Sequence, residues 1–277
     1  MITIHLMGGL GNQLFQIFTT MAYGIRHKIQ FKFEYKEQSP SSTPRPTYWL
    51  NLLKSLQTFT TRVLLNFPLY KEPHFHYTPI PEHFSQHTKL YGYFQSYKYF
   101  ADNTDIILKL IKWREQQENI ITKYIHSHPE YFKEDTVSLH FRIGDYAHLK
   151  HIYHIQTYEY YERAVKRLLE TETINQLLCF CEKDDIPIVK QITDNLHSTF
   201  NIPIVYVNDE ISDWEQLIVM SLCRHNIIAN SSFSWWGAYL NQHSDKKVLY
   251  PSLWFSHTHH NTNDLFPEEW ISIHSNI

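Results

Sequence analysis

Residues 2–13, Ile2-Thr3-Ile4-His5-Leu6-Met7-Gly8-Gly9-Leu10-Gly11-Asn12-Gln13, begin as an apolar strand, break at a glycine cluster, and pass into a segment with apolar residues at helical spacing. Strand, glycine loop and helix in this order open an α/β unit. The rest of the chain extends the pattern. Leu90–Phe94 reads as a further strand and residues 106–125 as one long amphipathic helix. Residues 49–70 carry apolar side chains at helical spacing, whereas the polar loop at 38–46 and four prolines between Pro68 and Pro81 interrupt regular structure.

A second series starts after Lys133-Glu134-Asp135. Strands are expected at Thr136–Phe141, Leu177–Phe180, Ile204–Val207 and Asn226–Ala229, and helices at Tyr158–Leu169, Pro187–Leu196, Trp214–Cys223 and Phe233–Asn241. Alternation of this kind implies parallel strands joined by crossover helices. The expected division is therefore 1–135 and 136–277, with no internal repeat.

Composition narrows the function. The 277 residues contain 25 Lys+Arg against 28 Asp+Glu, with no basic stripe of the kind a nucleic-acid binder shows. Three cysteines make a poor disulfide framework and match no zinc spacing, which places the chain in a reduced, cytoplasmic setting. No apolar run approaches the roughly 20 residues of a membrane span, and the first residues lack the basic segment of a signal peptide. Glycine is scarce: seven in the chain, about 2.5% against a usual 7% or so, and three of them are Gly8, Gly9 and Gly11. A glycine retained in such a sequence points to a backbone requirement.

Three segments could carry chemistry. The 8–13 loop lets backbone N–H groups approach a phosphate or a sugar, or is simply a turn that needs a positive φ; it matches neither the dinucleotide fingerprint nor a P-loop. His140-Phe141-Arg142-Ile143-Gly144-Asp145-Tyr146 ends a strand, where open α/β sheets bind ligands. Alternation sends His140 and Arg142 to the same side, and Arg142 either forks onto phosphate oxygens or ties the loop through Asp145, itself a candidate base. Asn230-Ser231-Ser232-Phe233 follows another strand and starts a helix, so its hydroxyls serve a diphosphate or cap the helix. The histidine runs His148, His151, His154 and His257, His259, His260 lack acidic partners at ligand spacing, and there is no Asp-x-Asp, so no metal is expected. Cys179 and Cys181 alternate on an apolar strand and should face one core.

With these residues in view, GGLGNQLFQ at 8–16, GYFQS at 92–96, HFRIGDY at 140–146 and HNIIANSSFSWWGAYLN at 225–241 resemble, in order and spacing, the bacterial-type α-1,2-fucosyltransferases of glycosyltransferase family 11. The resemblance runs over essentially the whole chain. It implies a GT-B-like fold of two Rossmann-type domains facing a central cleft, with 1–135 mainly on the acceptor side and 136–277 binding the nucleotide sugar. It further implies transfer of fucose, with inversion and without a metal or other cofactor, from GDP-fucose to the 2-hydroxyl of a galactose-terminated glycan acceptor in surface polysaccharide synthesis. Carried over, Gly9, Gly11 and Asn12 would approach the donor, and Arg142 would grip its diphosphate. His140 would line that pocket, Ser231, Ser232 and Phe233 would sit at the phosphates, and Asp145 or His140 would take the acceptor's proton.

The chain departs from the family pattern at three places. Ile143 stands where a second arginine is usual, Gln216 where an aspartate is usual, and Phe180-Cys181-Glu182-Lys183 where Phe-Ser-Asp-Asp is usual. Asp213 or Glu215 are the candidates to replace the missing aspartate. Two other readings follow: a transferase of the same fold with a different nucleotide-deoxysugar donor, and a non-catalytic carbohydrate-binding protein, which the 16% aromatic content would suit. No nucleic-acid partner and no transmembrane segment are expected, and a lipid-linked acceptor would place a cytoplasmic enzyme beside a membrane.

Overall fold

The computed structural model describes residues 1–39, 44–144, 146, 149, 151–208, 210–256 and 260–275. These form two compact units, 1–116 with 260–267, and 117–259 with 268–277.

In the first unit β1 (Ile2–Ile4) leads through Gly8 and Gly9 into α1 (Leu10–Arg26). Leu14, Phe15, Ile17, Phe18, Met21 and Ala22 bury almost the full length of that helix. β2 (Phe33–Glu34), β3 (Thr60–Thr61), β4 (Leu69–Lys71) and β5 (Thr88–Tyr91) follow. β1, β5 and β4 make a parallel three-stranded sheet in that order, and β2 pairs in parallel with β3. The helix expected across 49–70 is instead a 3₁₀ segment, Lys54–Phe59, followed by β3 and β4. Its periodic residues Trp49, Leu52, Leu53 and Leu56 do reach the core, but Thr60, Thr61 and Val63 are β-branched and favour extended backbone.

The helix expected across 106–125 is two, α2 (Thr104–Leu110) and α3 (Trp113–Tyr124). Lys112 adopts a left-handed φ of 54° between them. Ile111 and Trp113 are both buried, and two positions apart on one helix they would face nearly opposite ways, so the break lets both enter the core.

The second unit is built on β6 (Thr136–His140), α4 (Tyr158–Leu169), β7 (Gln176–Phe180), α5 (Ile186–Phe200), β8 (Ile204–Tyr206), α6 (Asp213–Ser221), β9 (His225–Ile227), α7 (Ser232–Tyr239), β10 (Val248–Pro251) and β11 (Ile271–Ile273). Its six strands are parallel, in the order β11-β10-β9-β6-β7-β8. From β6 the chain winds outward through β7 to β8, then returns to β9 on the other side of β6 and winds outward again. Between β6 and β9 the winding direction therefore reverses, which in open parallel sheets is where a crevice opens at the carboxyl ends. Beneath it Val137, Leu139, Phe141, Ile143, Tyr161, Leu177 and Cys179 pack into one cluster, with Cys181 against its edge. Cys179 and Cys181 thus share a core, as their alternation suggested.

The units divide inside α3, between Gln116 and Gln117, and not near residue 135. Side-chain contacts of the second half of α3 account for this: Gln117 Nε2 donates to Ser221 Oγ at 3.2 Å, and Lys123 Nζ and the Tyr124 hydroxyl reach Glu215 of α6 at 2.6 and 3.1 Å. Residues 260–267 return to the first unit, where Ser96 Oγ donates to the Asp264 carbonyl at 2.5 Å and Lys98 pairs with the Asp264 carboxylate. Among the described residues no helix is long and apolar enough to cross a membrane.

Candidate active site

The glycine loop of the first unit is held by side-chain amides. Gly8 has φ +75°, the left-handed region, and a Cβ there would stand 2.5 Å from Asn12 Nδ2. The turn reading of this glycine is therefore correct. Gly9, at the N-cap of α1, presents open space where a Cβ would be. Gly11 is buried in the first helical turn. Gln13 donates to the Gly8 and Pro46 carbonyls, both at 2.9 Å, and Gln16 exchanges two hydrogen bonds with the Met7 backbone, at 2.8 and 3.1 Å. Asn12 Oδ1 accepts from Gln95 Nε2 at 2.8 Å. The GGLGNQLFQ and GYFQS segments, 83 positions apart at this contact, thus form one local cluster.

Behind it lies a residue that no sequence pattern marked. Glu72 Oε2 accepts the backbone N–H of Tyr93 at 2.8 Å and of Phe94 at 3.0 Å. Gly92 has no side chain where Glu72 passes, and Phe94 takes φ 52° to close the turn. Burial pushes the Glu72 carboxyl up to about 7, against the pull of those two amides.

In the second unit His140 ends β6 at the reversal point and is buried. Its ring lies 5.6 Å from that of Phe233, and among the described residues its Nδ1 has no hydrogen-bond partner. Burial, and then the neighbouring Arg142 charge, hold the imidazole down at about 3, so it stands neutral at ordinary pH. Arg142 pairs with Glu182, just beyond β7, and its guanidinium carbon lies 5.4 Å from the Tyr146 ring centroid. The Gly144 N–H donates to Asp185 at 2.9 and 3.1 Å. Glu182 and Asp185, from one loop, therefore fix both ends of the Arg142–Gly144 turn. An acidic pair after the next strand was the signal for this. Asp145 lies outside the described residues, as do His148, His257 and His259.

The 230–233 segment divides into a buried scaffold part and a half-buried part. Asn230 Nδ2 bridges the His154 and Trp254 carbonyls at 2.7 and 2.9 Å, and its own carbonyl accepts from the Tyr146 hydroxyl at 3.1 Å. Ser231 caps α7, accepting the Phe233 N–H at 3.3 Å. Capping is thus the observed work of Ser231, whereas Ser232 and Phe233 are half-buried at the helix start. The HFRIGDY and HNIIANSSFSWWGAYLN segments meet through His140–Phe233 and Tyr146–Asn230.

The three departures also find places. Ile143 is in the apolar cluster, so the position where a second arginine is usual is a core position in this chain. Glu215 is taken up by a capping box with Ser212 and by Lys123 and Tyr124, and Gln216 donates to the Ile211 carbonyl at 2.8 Å. Asp213 is the exposed acid of that first turn.

The doubly wound parallel sheet thus carries an arginine, a buried neutral histidine and a helix start at its winding reversal. The chain belongs to glycosyl transferase family 11, whose family model matches residues 1–274. It is 32% identical over 193 residues to the O-antigen biosynthesis glycosyltransferase WbnK of Escherichia coli, a match covering 66% of this chain and 60% of that one, so less than two thirds of that relative's length is spanned. It is 26% identical to the alpha-1,2-colitosyltransferase of Escherichia coli, covering 98% of each chain. It is also 26% identical to a galactoside 2-alpha-L-fucosyltransferase of Caenorhabditis elegans, covering 98% of this chain and 78% of that one. The chain is a glycosyltransferase by family.

Proposed function

We propose that the enzyme transfers L-fucose from GDP-fucose to the 2-hydroxyl of a terminal β-galactoside, with inversion, in the synthesis of a surface glycan. The observation that carries this reading is the convergence of Arg142, His140 and the start of α7 at the β6–β9 reversal. It is supported by the whole-chain likeness to a galactoside 2-alpha-L-fucosyltransferase.

As the glycosidic bond of the donor breaks, negative charge grows on the β-phosphate while the sugar becomes oxocarbenium-like. Arg142 and the N–H groups at the start of α7 stabilise that charge, the work a metal ion would otherwise do. The acceptor hydroxyl attacks from the opposite face and loses its proton late in the step. Asp145 or His140 takes that proton, and the neutral His140 ring, whose Nδ1 has no partner among the described residues, can also hydrogen-bond the donor.

A second reading has its own support. The colitosyltransferase matches over 98% of both chains, and colitose differs from fucose only in lacking the hydroxyl at C3. A donor site that hydrogen-bonds that hydroxyl would discriminate strongly between the two sugars. Product formation from GDP-fucose and from GDP-colitose with a β-galactoside, followed by linkage analysis by mass spectrometry, tests both. A fucosylated product bearing a new α-1,2 linkage is expected. Transfer from GDP-colitose alone would move the assignment to the second donor. Calorimetry showing affinity for UDP and none for GDP would end both, and sugar binding with neither transfer nor nucleotide affinity would favour a lectin.

A further inference from the structure

One stretch of the first unit has a surface unlike the rest. Acids make up roughly one residue in ten of the chain, yet the 34 residues from 38 to 71 contain none, while carrying Arg45, Lys54, Arg62 and Lys71. All four cations are exposed. Among the described residues Lys54, Arg62 and Lys71 make no ion pair, although Arg62 lies over the Tyr35 ring at 5.4 Å. The same stretch holds the four most exposed large apolar side chains among the described residues: Val63 at 69%, Leu50 at 66%, Leu64 at 59% and Leu69 at 52%. Val63 and Leu64 lie in the short crossing from β3 to β4, between Arg62 and Lys71. At 52–69% exposure the four apolar side chains project from the surface. Projecting apolar side chains interspersed with unpaired cations suit a surface with negative headgroups above and hydrocarbon below.

We propose that residues 50–71 dock the first unit onto an anionic lipid bilayer. Arg62 and Lys71 meet the headgroups, and Val63, Leu64 and Leu69 enter the boundary between headgroup and acyl chain. The attachment is peripheral and reversible, because a few apolar side chains and cations fall far short of a spanning helix. It is independent of the donor and acceptor assigned above.

The test is co-sedimentation of the full chain with vesicles of phosphatidylcholine containing roughly a third phosphatidylglycerol, compared with pure phosphatidylcholine. Binding to the anionic vesicles is expected, weakened by salt as the surface field is screened. Each cation near such a surface contributes about fivefold, so Arg62→Glu with Lys71→Glu should lower partitioning by about 25-fold or more. Val63→Asp with Leu64→Asp should do the same by removing the inserted groups. Circular dichroism checks that the variants remain folded, and Leu50→Asp with Leu69→Asp serves if the first apolar pair does not fold. Equal binding to neutral vesicles, no binding to either, or binding indifferent to these variants would each overturn the proposal. So would a wild-type dimer in sedimentation velocity that Val63→Asp with Leu64→Asp dissociates, since the face would then belong to a second copy. The assay contains neither nucleotide sugar nor glycan, so its failure leaves the transferase reading where it stood.

Discussion

The loop after β1 and the loop after β6 occupy the same place in their units, the carboxyl end of a parallel strand, yet they are held in opposite ways. The first is held by neutral groups: Gln13 and Gln16 on backbone carbonyls and an N–H, and Gln95 on Asn12. The second is held by charge, with Glu182 on Arg142 and Asp185 on the Gly144 N–H. Neutral amides fix a shape without adding a field. A carboxylate beside an arginine fixes the guanidinium but also competes with any anion for it. The difference teaches that shape and charge are assigned to different units, and each can be perturbed separately.

The largest effect is expected where charge is supplied. Arg142→Ala should lower turnover with GDP-fucose and a galactoside by two or more orders of magnitude, about 2.7 kcal/mol or more of transition-state stabilisation. Steady-state kinetics on a variant of unchanged thermal stability checks this. Activity within a few-fold of wild type would remove Arg142 from the mechanism.

In the first unit the expected loss is one of shape. Gly8→Ala places a Cβ at positive φ, 2.5 Å from Asn12 Nδ2, and should destabilise the fold by about 2–3 kcal/mol in denaturant unfolding. Gly9→Ala, whose Cβ meets nothing within 4 Å, should cost about 0.5 kcal/mol or less. Equal losses at the two positions would mean that the turn does not depend on the left-handed residue.

These contrasts bear on what the sequence could disclose. The second unit was legible as far as α7, though β10 and β11 were not expected: α4 begins and ends at the expected residues, because its apolar stripe is strong and its flanking strands are continuously buried. The 49–70 stretch misled, since a 3₁₀ turn with a buried Trp49 and three buried leucines repeats at nearly helical spacing. His140, Arg142 and the 230–233 segment were legible as strand ends and a helix start. Glu72 was not, and Glu182 and Asp185 were legible only as acids following a strand, since each acts on a backbone N–H or a side chain 21 to 41 positions away, and no periodicity encodes such a pairing.

Glu72 makes the Gly92–Phe94 turn, next to Gln95, sensitive to pH. Its folded carboxyl is raised to about 7 from an ordinary 4.5, so the fold favours the protonated form. The stability this group contributes is complete below about 4.5 and is lost as pH rises through 7, about 2 kcal/mol between pH 5 and 8. Glu72→Gln keeps an acceptor for the Tyr93 and Phe94 amides and does not ionise. Its stability relative to wild type should therefore improve by about that amount over the same range, measured by urea unfolding at both pH values. A difference independent of pH would show that Glu72 is not buried as described.

The smallest effect expected is at Glu182, and it examines the charged loop directly. The Arg142–Glu182 pair is partly exposed, so its own contribution to stability is about 1 kcal/mol at most. For a diphosphate, however, Glu182 is both a support that aims Arg142 and a like charge close to the incoming phosphates. Glu182→Gln removes the repulsion and keeps a weaker support. GDP should therefore bind more tightly, by up to about fivefold at low salt, while turnover falls by less than about tenfold, because a less well aimed guanidinium loses more at the transition state than in the ground state. Added salt should shrink the gain in affinity and leave the turnover loss in place, since screening acts on the field and not on the aim. Calorimetry with GDP and kinetics at two ionic strengths separate the two effects. If neither affinity nor turnover moves, Glu182 does not govern Arg142, and the contrast between a loop held by shape and a loop held by charge reduces to Asp185 on the Gly144 N–H.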